Sequence, residues 1–155
     1  MYRNLANDMT YRPLVEELKE HANAVDTVDD WPRSSLQACG DAGVHRWFLS
    51  QNDGGTGWTE PEVTCGYLML SQYCMTTSFI LTQRTGAMKR IAGSGNEHAK
   101  REWLPGLLSG ELFGTVGISH LTTSRQHVGQ PVLRATPLPH GSFRLDGYSP
   151  WVTGG

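Results

Sequence analysis

The spacing of apolar residues predicts helices in the first two thirds of the chain. In "RPLVEELKEHANAV" the apolar positions recur at helical spacing, at Leu14, Leu18, Ala22 and Val25. The stretch "DDWPRSSLQACGDAG" predicts a second helix, with Asp30 as its N-cap, Pro32 in its first turn and Gly43 as its stop. A glycine-rich loop, "SQNDGGTG", follows.

The segment behind this loop predicts one long, buried helix. Thr59 and Glu62 have the spacing of a capping box, and Pro61 is tolerated in a first turn. Residues 60–85 are then apolar on nearly all sides, which is typical of a helix inside a core. We expect the core of the helical part to include Leu68, Leu70 and Phe79.

The last third changes from helical to alternating periodicity. A shorter helix is predicted from about Asn96, broken or kinked at Pro105 and stopped at Gly110. Four candidate strands follow, in "LFGTVGIS", "PVLRATP", "SFRLDG" and "YSPWVT", with a turn at "PHGS" and with Pro150 favouring an edge position or a bulge. The predicted fold class is α+β: an all-helical domain over residues 1–110, then the start of an antiparallel β-domain over residues 111–155.

Composition and charge exclude several classes of protein. The 155 residues are 38% hydrophobic and 18% charged, with a formal net charge of −2, so nucleic acid is a poor candidate partner. Apolar runs fall short of the roughly 20 residues that span a bilayer, and "MYRNLANDMT" lacks the apolar middle of a signal peptide. Cys39, Cys65 and Cys74 have no C-x-x-C spacing, which favours buried free thiols in a reducing compartment. We expect a soluble, cytoplasmic protein without a structural metal.

The motifs taken alone carry little chemistry. "GSGNEH" is not a dinucleotide fingerprint, and "NDGGTG" lacks the Lys-Ser/Thr of a phosphate-binding loop. His120 and His127 near Ser119 and Ser124 have no nucleophile-elbow context, so polar loop residues are the simpler interpretation. Trp151 fits a core position or, less well, a flat wall for a planar ligand.

Read in order, four segments resemble the N-terminal half of the acyl-CoA dehydrogenase family. They are "WPRSSLQACGDAGV", "NDGGTG", "GSGNEHAKREWLPGLLSGELFGTVGIS" and "DGYSPWVTGG". The third is the most specific, because it is similar to the family's L-P-x-L-x-S-G-E followed by a strand. The resemblance implies a helical domain, a middle β-domain and a C-terminal four-helix bundle. The chain would then be a fragment that ends within the middle domain, lacks the bundle and is inactive alone.

The resemblance also implies FAD as cofactor and desaturation of an acyl thioester between its α and β carbons, with hydride passing to flavin N5. It assigns the backbone of Val116 and Ile118, the hydroxyl of Ser119, the ring of Trp151 and the hydroxyl of Thr153 to the flavin. With that context, the flavin wall becomes the preferred interpretation of Trp151. The keywords implied are oxidoreductase, flavoprotein and fatty acid metabolism.

The loop after Ser119 departs from the family pattern. "SHLTTSRQ" stands where the family has E-P-x-A-G-S-D, so Ser124 and Arg125 are the candidate substrate-binding residues. Arg125 could pair a phosphate or be an ordinary solvated arginine. The family's catalytic glutamate belongs to the C-terminal bundle, and no residue of this chain is assigned as catalytic.

Three functional hypotheses follow. The first is a partial acyl-CoA dehydrogenase, whose partners would be an acyl-CoA or related substrate, an electron-transfer acceptor and, at full length, further copies of itself. The second is a flavin-dependent monooxygenase or oxidase relative on the same fold, which the altered "SHLTTSRQ" loop would suit. The third is a non-catalytic helical module that mediates protein contacts.

Overall fold

A computed structural model describes residues 8–27, 31–118, 133–149 and 152. The helices are α1 (Arg12–Thr27), α2 (Arg33–Asp41), α3 (Glu60–Ser71), α4 (Met75–Ala92) and α5 (Glu97–Ser109), with short 3₁₀ turns at Val44–Arg46 and Gln51–Asp53. The strands are β1 (Leu133–Pro137) and β2 (Phe143–Gly147). The chain divides into two compact units, Met1–Gly114 and Thr115–Gly155.

Helix ends follow the predicted signals at most positions. The capping box at Thr59 is present, and the Glu62 carboxylate accepts a hydrogen bond from the Thr59 backbone N–H at 2.8 Å. Asn96 caps α5 by accepting from Ala99 N at 3.0 Å, and Gly110 ends that helix at φ 88°, a conformation that suits glycine. Helix α5 runs through Pro105 to Ser109 without a break.

The start of α2 differs from the prediction. Its N-cap is Pro32, without a side-chain capping hydrogen bond, and Asp30 lies outside the described residues. After the helix ends, Gly43 adopts φ 76°, the left-handed conformation that its predicted role as a stop requires.

The prediction of one long helix over residues 60–85 is wrong, because two helices occupy this range. Helix α3 ends at Ser71, and Cys74 takes an extended conformation before α4 begins at Met75. Three polar residues, Thr76, Thr77 and Ser78, fill the first turn of α4, and the Cys74 Sγ lies 3.0 Å from the Thr77 Oγ1. The Ser78 hydroxyl donates to the Cys74 carbonyl at 3.0 Å, so polar side chains occupy the start of a second helix, which an apolar pattern alone does not reveal.

Only part of the predicted core list is confirmed. Leu70 is fully buried, but Leu68 is 59% exposed and Phe79 is 55% exposed. The break between α3 and α4 resets which side of each helix faces inward. The actual core centres on Trp47, which stacks on Trp58 with ring centroids 4.6 Å apart and donates from Nε1 to the Tyr11 hydroxyl at 3.1 Å.

The described part of the second unit contains one antiparallel hairpin. Leu133 pairs with Gly147 and Pro137 with Phe143, and the predicted turn at 139–142 closes on Leu138 N donating to Ser142 O at 2.9 Å. Strands were also predicted at 112–119 and 148–153. The described residues of those ranges do not form strands. A strand requires a hydrogen-bonded neighbour, and within the described residues only β1 and β2 provide one for each other.

Candidate functional site

The segment predicted to line the flavin lies beside the segment that carries the predicted tryptophan. A Cβ built on Gly117 would lie 3.0 Å from Ser149 Oγ and 3.0 Å from Val152 Cγ2, so the backbone at residue 117 packs closely against both. Val116 is half-buried and Ile118 is 40% exposed. This arrangement brings residues 116–118 next to positions 149 and 152.

The remaining predicted site residues fall outside the part of the chain that the structure describes. These are Ser119, Trp151 and Thr153 for the cofactor, and Ser124 and Arg125 for the substrate. Their roles stay predictions. The described neighbours Gly117, Ser149 and Val152 show only that the two chain segments meet.

Two buried polar side chains, His45 and Arg84, lie within the helical unit, where the sequence analysis predicted no functional site. The side chain of His45, from the 3₁₀ turn after α2, is 3% exposed, and that of Arg84, from the middle of α4, is 1% exposed. The imidazole packs between two glycines: a Cβ on Gly40 would lie 3.1 Å from its Cε1, and a Cβ on Gly110 would lie 2.9 Å from the same atom. The ends of α2 and α5 thus hold the His45 ring in place.

Both side chains carry polar atoms without partners. Arg84 Nη2 donates to the backbone carbonyl of Leu107, while Arg84 Nε and Nη1 and both ring nitrogens of His45 have no hydrogen-bond partner among the described residues. Burial, followed by the charges of Arg84 and Arg46, lowers the pKa of His45 to about 3, so this imidazole is neutral at pH 7. Burial lowers the pKa of Arg84 to about 10, which still leaves the guanidinium charged.

His45 and Arg84 line a pocket of about 340 Å³, which we call the Arg84 pocket. This volume lies at the lower end of the range that small-molecule sites occupy. Trp31 and Phe113 form one side, with their rings edge to face at a centroid distance of 4.7 Å. The other lining residues are Arg33, Leu36, Gln37, Gly110, Glu111 and Leu112.

Comparison with protein families identifies the first unit. The family model "Acyl-CoA dehydrogenase, N-terminal domain" matches residues 4–111, more than two thirds of the chain. The chain belongs to the acyl-CoA dehydrogenase family. The match confirms the resemblance, and the helices followed by an antiparallel hairpin confirm the α+β class. Among curated proteins, no sequence matches this chain.

The glycine-rich loop, residues 50–57, has a structural role in the helical unit. Thr56 N donates to Arg46 O at 2.9 Å and Gly57 N donates to Leu49 O at 2.9 Å, so the loop folds back onto residues 46–49. A Cβ on Gly55 would collide with the Leu49 carbonyl. These bonds use backbone amides that a phosphate would need, and they place Trp58 over Trp47 in the core.

The described residues also limit other kinds of site. Within 8–27, 31–118, 133–149 and 152, His, Cys, Asp and Glu form no group of three or more that could hold a metal ion. No helix in the described part of the chain is long and apolar enough to cross a membrane. Cys39 and Cys74 are buried free thiols and Cys65 is a partly buried one; burial raises the pKa of Cys39 to about 12, which disfavours the reactive thiolate.

The sequence does contain a signal for the Arg84 pocket. Thr77, Leu81, Arg84 and Met88 follow one another at spacings of four, three and four, and all four are buried. A charged residue at a position whose helical neighbours are core residues is unusual, because arginine is almost never fully buried without a partner. The sequence alone does not reveal which face of α4 is buried, however. The unusual position of Arg84 can therefore be recognised only once that face is known.

Proposed function

We propose that this chain contributes the helical domain and one wall of the flavin site to an FAD-dependent oxidoreductase of the acyl-CoA dehydrogenase type. The family match over residues 4–111 is the observation on which the proposal rests. The close packing of Gly117 on Ser149 and Val152 supports it further, since the proposed flavin contacts lie on the two segments that meet there. We also propose that these contacts belong to a partial middle β-domain over residues 111–155.

The described residues are compatible with a flat, partly apolar ligand. Ile118 presents an exposed apolar side chain, and Gly117 allows the two segments to approach without side-chain interference. In the proposal, the backbone at Val116 and Ile118, the hydroxyls of Ser119 and Thr153 and the ring of Trp151 would hold the flavin. FAD, when bound, supplies the acceptor for a hydride from the substrate.

The proposed substrate is an acyl-CoA or a related thioester, and the reaction is its α,β-desaturation. Ser124 and Arg125 would contact the substrate, since a guanidinium pairs well with phosphate or carboxylate oxygens. The work of this chain would be orientation of the flavin and of the thioester, because orientation is a large part of such catalysis. None of its carboxylates is assigned the role of the base. The finer proposals include a cytoplasmic location, an electron-transfer acceptor and assembly into homo-oligomers.

The test compares two variants of the full-length protein that contains residues 1–155. Trp151→Ala is expected to lower flavin content at least about tenfold, because an aromatic wall contributes both area and shape to a planar site. Arg125→Ala is expected to keep the flavin and to raise the KM for an acyl-CoA several-fold. Flavin absorbance after gel filtration and turnover with an artificial electron acceptor measure the two effects.

Trp103→Ala is the matched control, since Trp103 lies on α5 and is 48% exposed. This variant should retain full flavin content. Loss of flavin in Arg125→Ala but not in Trp151→Ala would contradict the assignment of residues. Bound flavin that consumes oxygen without desaturating acyl-CoA would favour the monooxygenase or oxidase alternative.

A further inference from the structure

The guanidinium of Arg84 is buried with most of its hydrogen-bonding capacity unused. It is 1% exposed, and its described hydrogen bond runs from Nη2 to the Leu107 carbonyl. Within the part of the chain that the structure describes, the N–H groups on Nε and Nη1 have no acceptor. Among the described residues the ion pairs are Lys19–Glu16 and Lys100–Glu97, and Arg84 belongs to neither.

A buried cation in this condition requires a counter-charge. The guanidinium remains protonated at neutral pH, and an uncompensated buried charge is strongly destabilising. A neutral carbonyl such as that of Leu107 satisfies one donor but supplies no negative charge. Water could accept the remaining hydrogen bonds, yet it would also leave the charge uncompensated.

The pocket around Arg84 has the size and the charge to admit a small anion. Its volume is about 340 Å³, and Arg33 adds a second cation to its lining. Among the described lining residues the carboxylate is that of Glu111, which is an exposed residue. Two arginines against one glutamate leave the lining with an excess of positive charge.

We propose that the Arg84 pocket binds a small oxyanion, a carboxylate or a phosphate group, whose negative charge compensates the Arg84 guanidinium together with Arg33 in the lining. The site lies wholly within the helical unit, between α2, α4 and the segment after α5, and it is independent of the proposed flavin wall. Charge-assisted hydrogen bonds from arginine are the usual means by which proteins hold such groups.

The first test measures thermal unfolding of the 155-residue chain at constant ionic strength. Sodium phosphate and sodium acetate, each at 10 mM, are compared with sodium chloride. A ligand with a dissociation constant near 1 mM should raise the Tm by about 3–5 °C over the chloride reference. A rise with phosphate alone identifies a phosphate site, and a rise with acetate alone identifies a carboxylate site. Equal Tm values in all three salts would overturn the proposal.

The second test follows the Nε–H resonance of Arg84 by NMR during the same titrations. The resonance is assigned by its loss in Arg84→Lys, and Arg84→Met removes the charge while keeping an unbranched side chain. Arg101→Met is the control, because Arg101 is an exposed arginine on α5. Saturable shifts of the Arg84 signal are expected in the unmodified chain and in Arg101→Met, and the rise in Tm on addition of the anion is expected to disappear in Arg84→Met.

Glu111→Gln separates an external ligand from an internal partner. If an added anion is the ligand, this variant should bind it as tightly as the unmodified chain or more tightly, since one competing carboxylate has been removed. If Glu111 itself pairs with Arg84, Glu111→Gln alone would shift the Arg84 resonance and the unmodified chain would not respond to anions. That outcome, like an unresponsive Arg84 signal in the unmodified chain, would show the proposal to be wrong.

Discussion

The two units of this chain differ in how fully they bury their apolar side chains. The helical unit has a core in which Trp47, Leu18, Leu70, Leu81 and Met88 are essentially without solvent contact. In the hairpin, by contrast, most residues of both strands are exposed, including Phe143 at 60% and Leu145 at 66%. Apolar side chains occur in both units, and the difference lies in how fully they are buried.

The comparison shows why the helical unit is the part that can be stable by itself. Each helix there packs against others, and the stacked pair Trp47 and Trp58 connects the loop after α2 to the core. Within the described residues β1 and β2 pair only with each other, and a two-stranded hairpin alone is marginal in water. We therefore expect the free energy of unfolding to depend on helical core residues and hardly at all on the hairpin.

The largest expected effect separates two leucines on the same helix. Leu70→Ala removes a fully buried side chain from α3 and is expected to cost about 2–5 kcal/mol of unfolding free energy. Leu68→Ala is the matched control, because Leu68 is 59% exposed and should cost less than about 0.5 kcal/mol. Urea unfolding followed by far-UV circular dichroism measures both. Equal losses in the two variants would show that the assigned inner face of α3 is wrong.

These leucines also show what the sequence could and could not predict. Capping signals at Thr59, Asn96 and Gly110 identified helix ends correctly, because those signals are local and chemical. The inner face of an all-round apolar segment was not predictable, because each face carries apolar residues. Which residues face inward depends on the break at residues 72–74 and on the tertiary contacts of α3 and α4.

The two candidate sites also differ in how far the sequence could predict them. The family resemblance assigned Val116, Ile118 and Trp151 to one flavin site, and those roles stay predictions. The structure shows only that Gly117 packs against Ser149 and Val152. His45 and Arg84 could not be predicted as a pair, because they are distant in sequence and meet only when α2 and α4 pack. Arg84 is a charged residue within an apolar stripe, which becomes informative once the stripe is known.

A second prediction concerns the close approach of α3 to the central tryptophan. Gly66 lies against the Trp47 ring, and an added Cβ would collide with that buried ring. Gly66→Ala is therefore expected to cost about 1–3 kcal/mol, although alanine favours helices. Gly95→Ala is the control, since a Cβ there would meet nothing within 4 Å. A Gly66→Ala variant as stable as the unmodified chain would mean that Trp47 can move, and the contrast between a rigid core and an uncovered hairpin would weaken.

A third prediction uses the titration of His45. Its folded pKa of about 3 lies below the ordinary value of 6.5, so the unfolded chain binds the proton more readily. The stability contributed by neutral His45 is complete above pH 6.5 and declines as the pH falls toward 3. Between pH 7 and pH 5 the expected loss is up to about 2 kcal/mol. Arg84 and Arg46 are the charged groups that, after burial, lower the pKa of His45, and Arg33 and Glu111 are the other charged residues that line the pocket.

Urea unfolding at pH 7, 6 and 5 measures this loss, in a range above the ordinary pKa of carboxyl groups. In His45→Gln the decline should become much smaller, whereas His98→Gln should keep it, because His98 is exposed on α5. An identical pH dependence in His45→Gln and the unmodified chain would assign the acid sensitivity to other groups.

The smallest effect is expected in the hairpin. Phe143 is 60% exposed and lies opposite Pro137 at the turn end of β1 and β2, so its removal uncovers little additional apolar surface. Phe143→Ala should change the unfolding free energy of the helical unit by less than about 0.5 kcal/mol, although the same substitution in a core costs about 3–5 kcal/mol. Amide exchange in the ladder between Leu133 and Gly147 should be fast relative to exchange in α4, because a lone pair of strands opens locally. A loss above about 2 kcal/mol, or ladder amides protected as strongly as those of α4, would mean that the hairpin is covered and folds together with the helices.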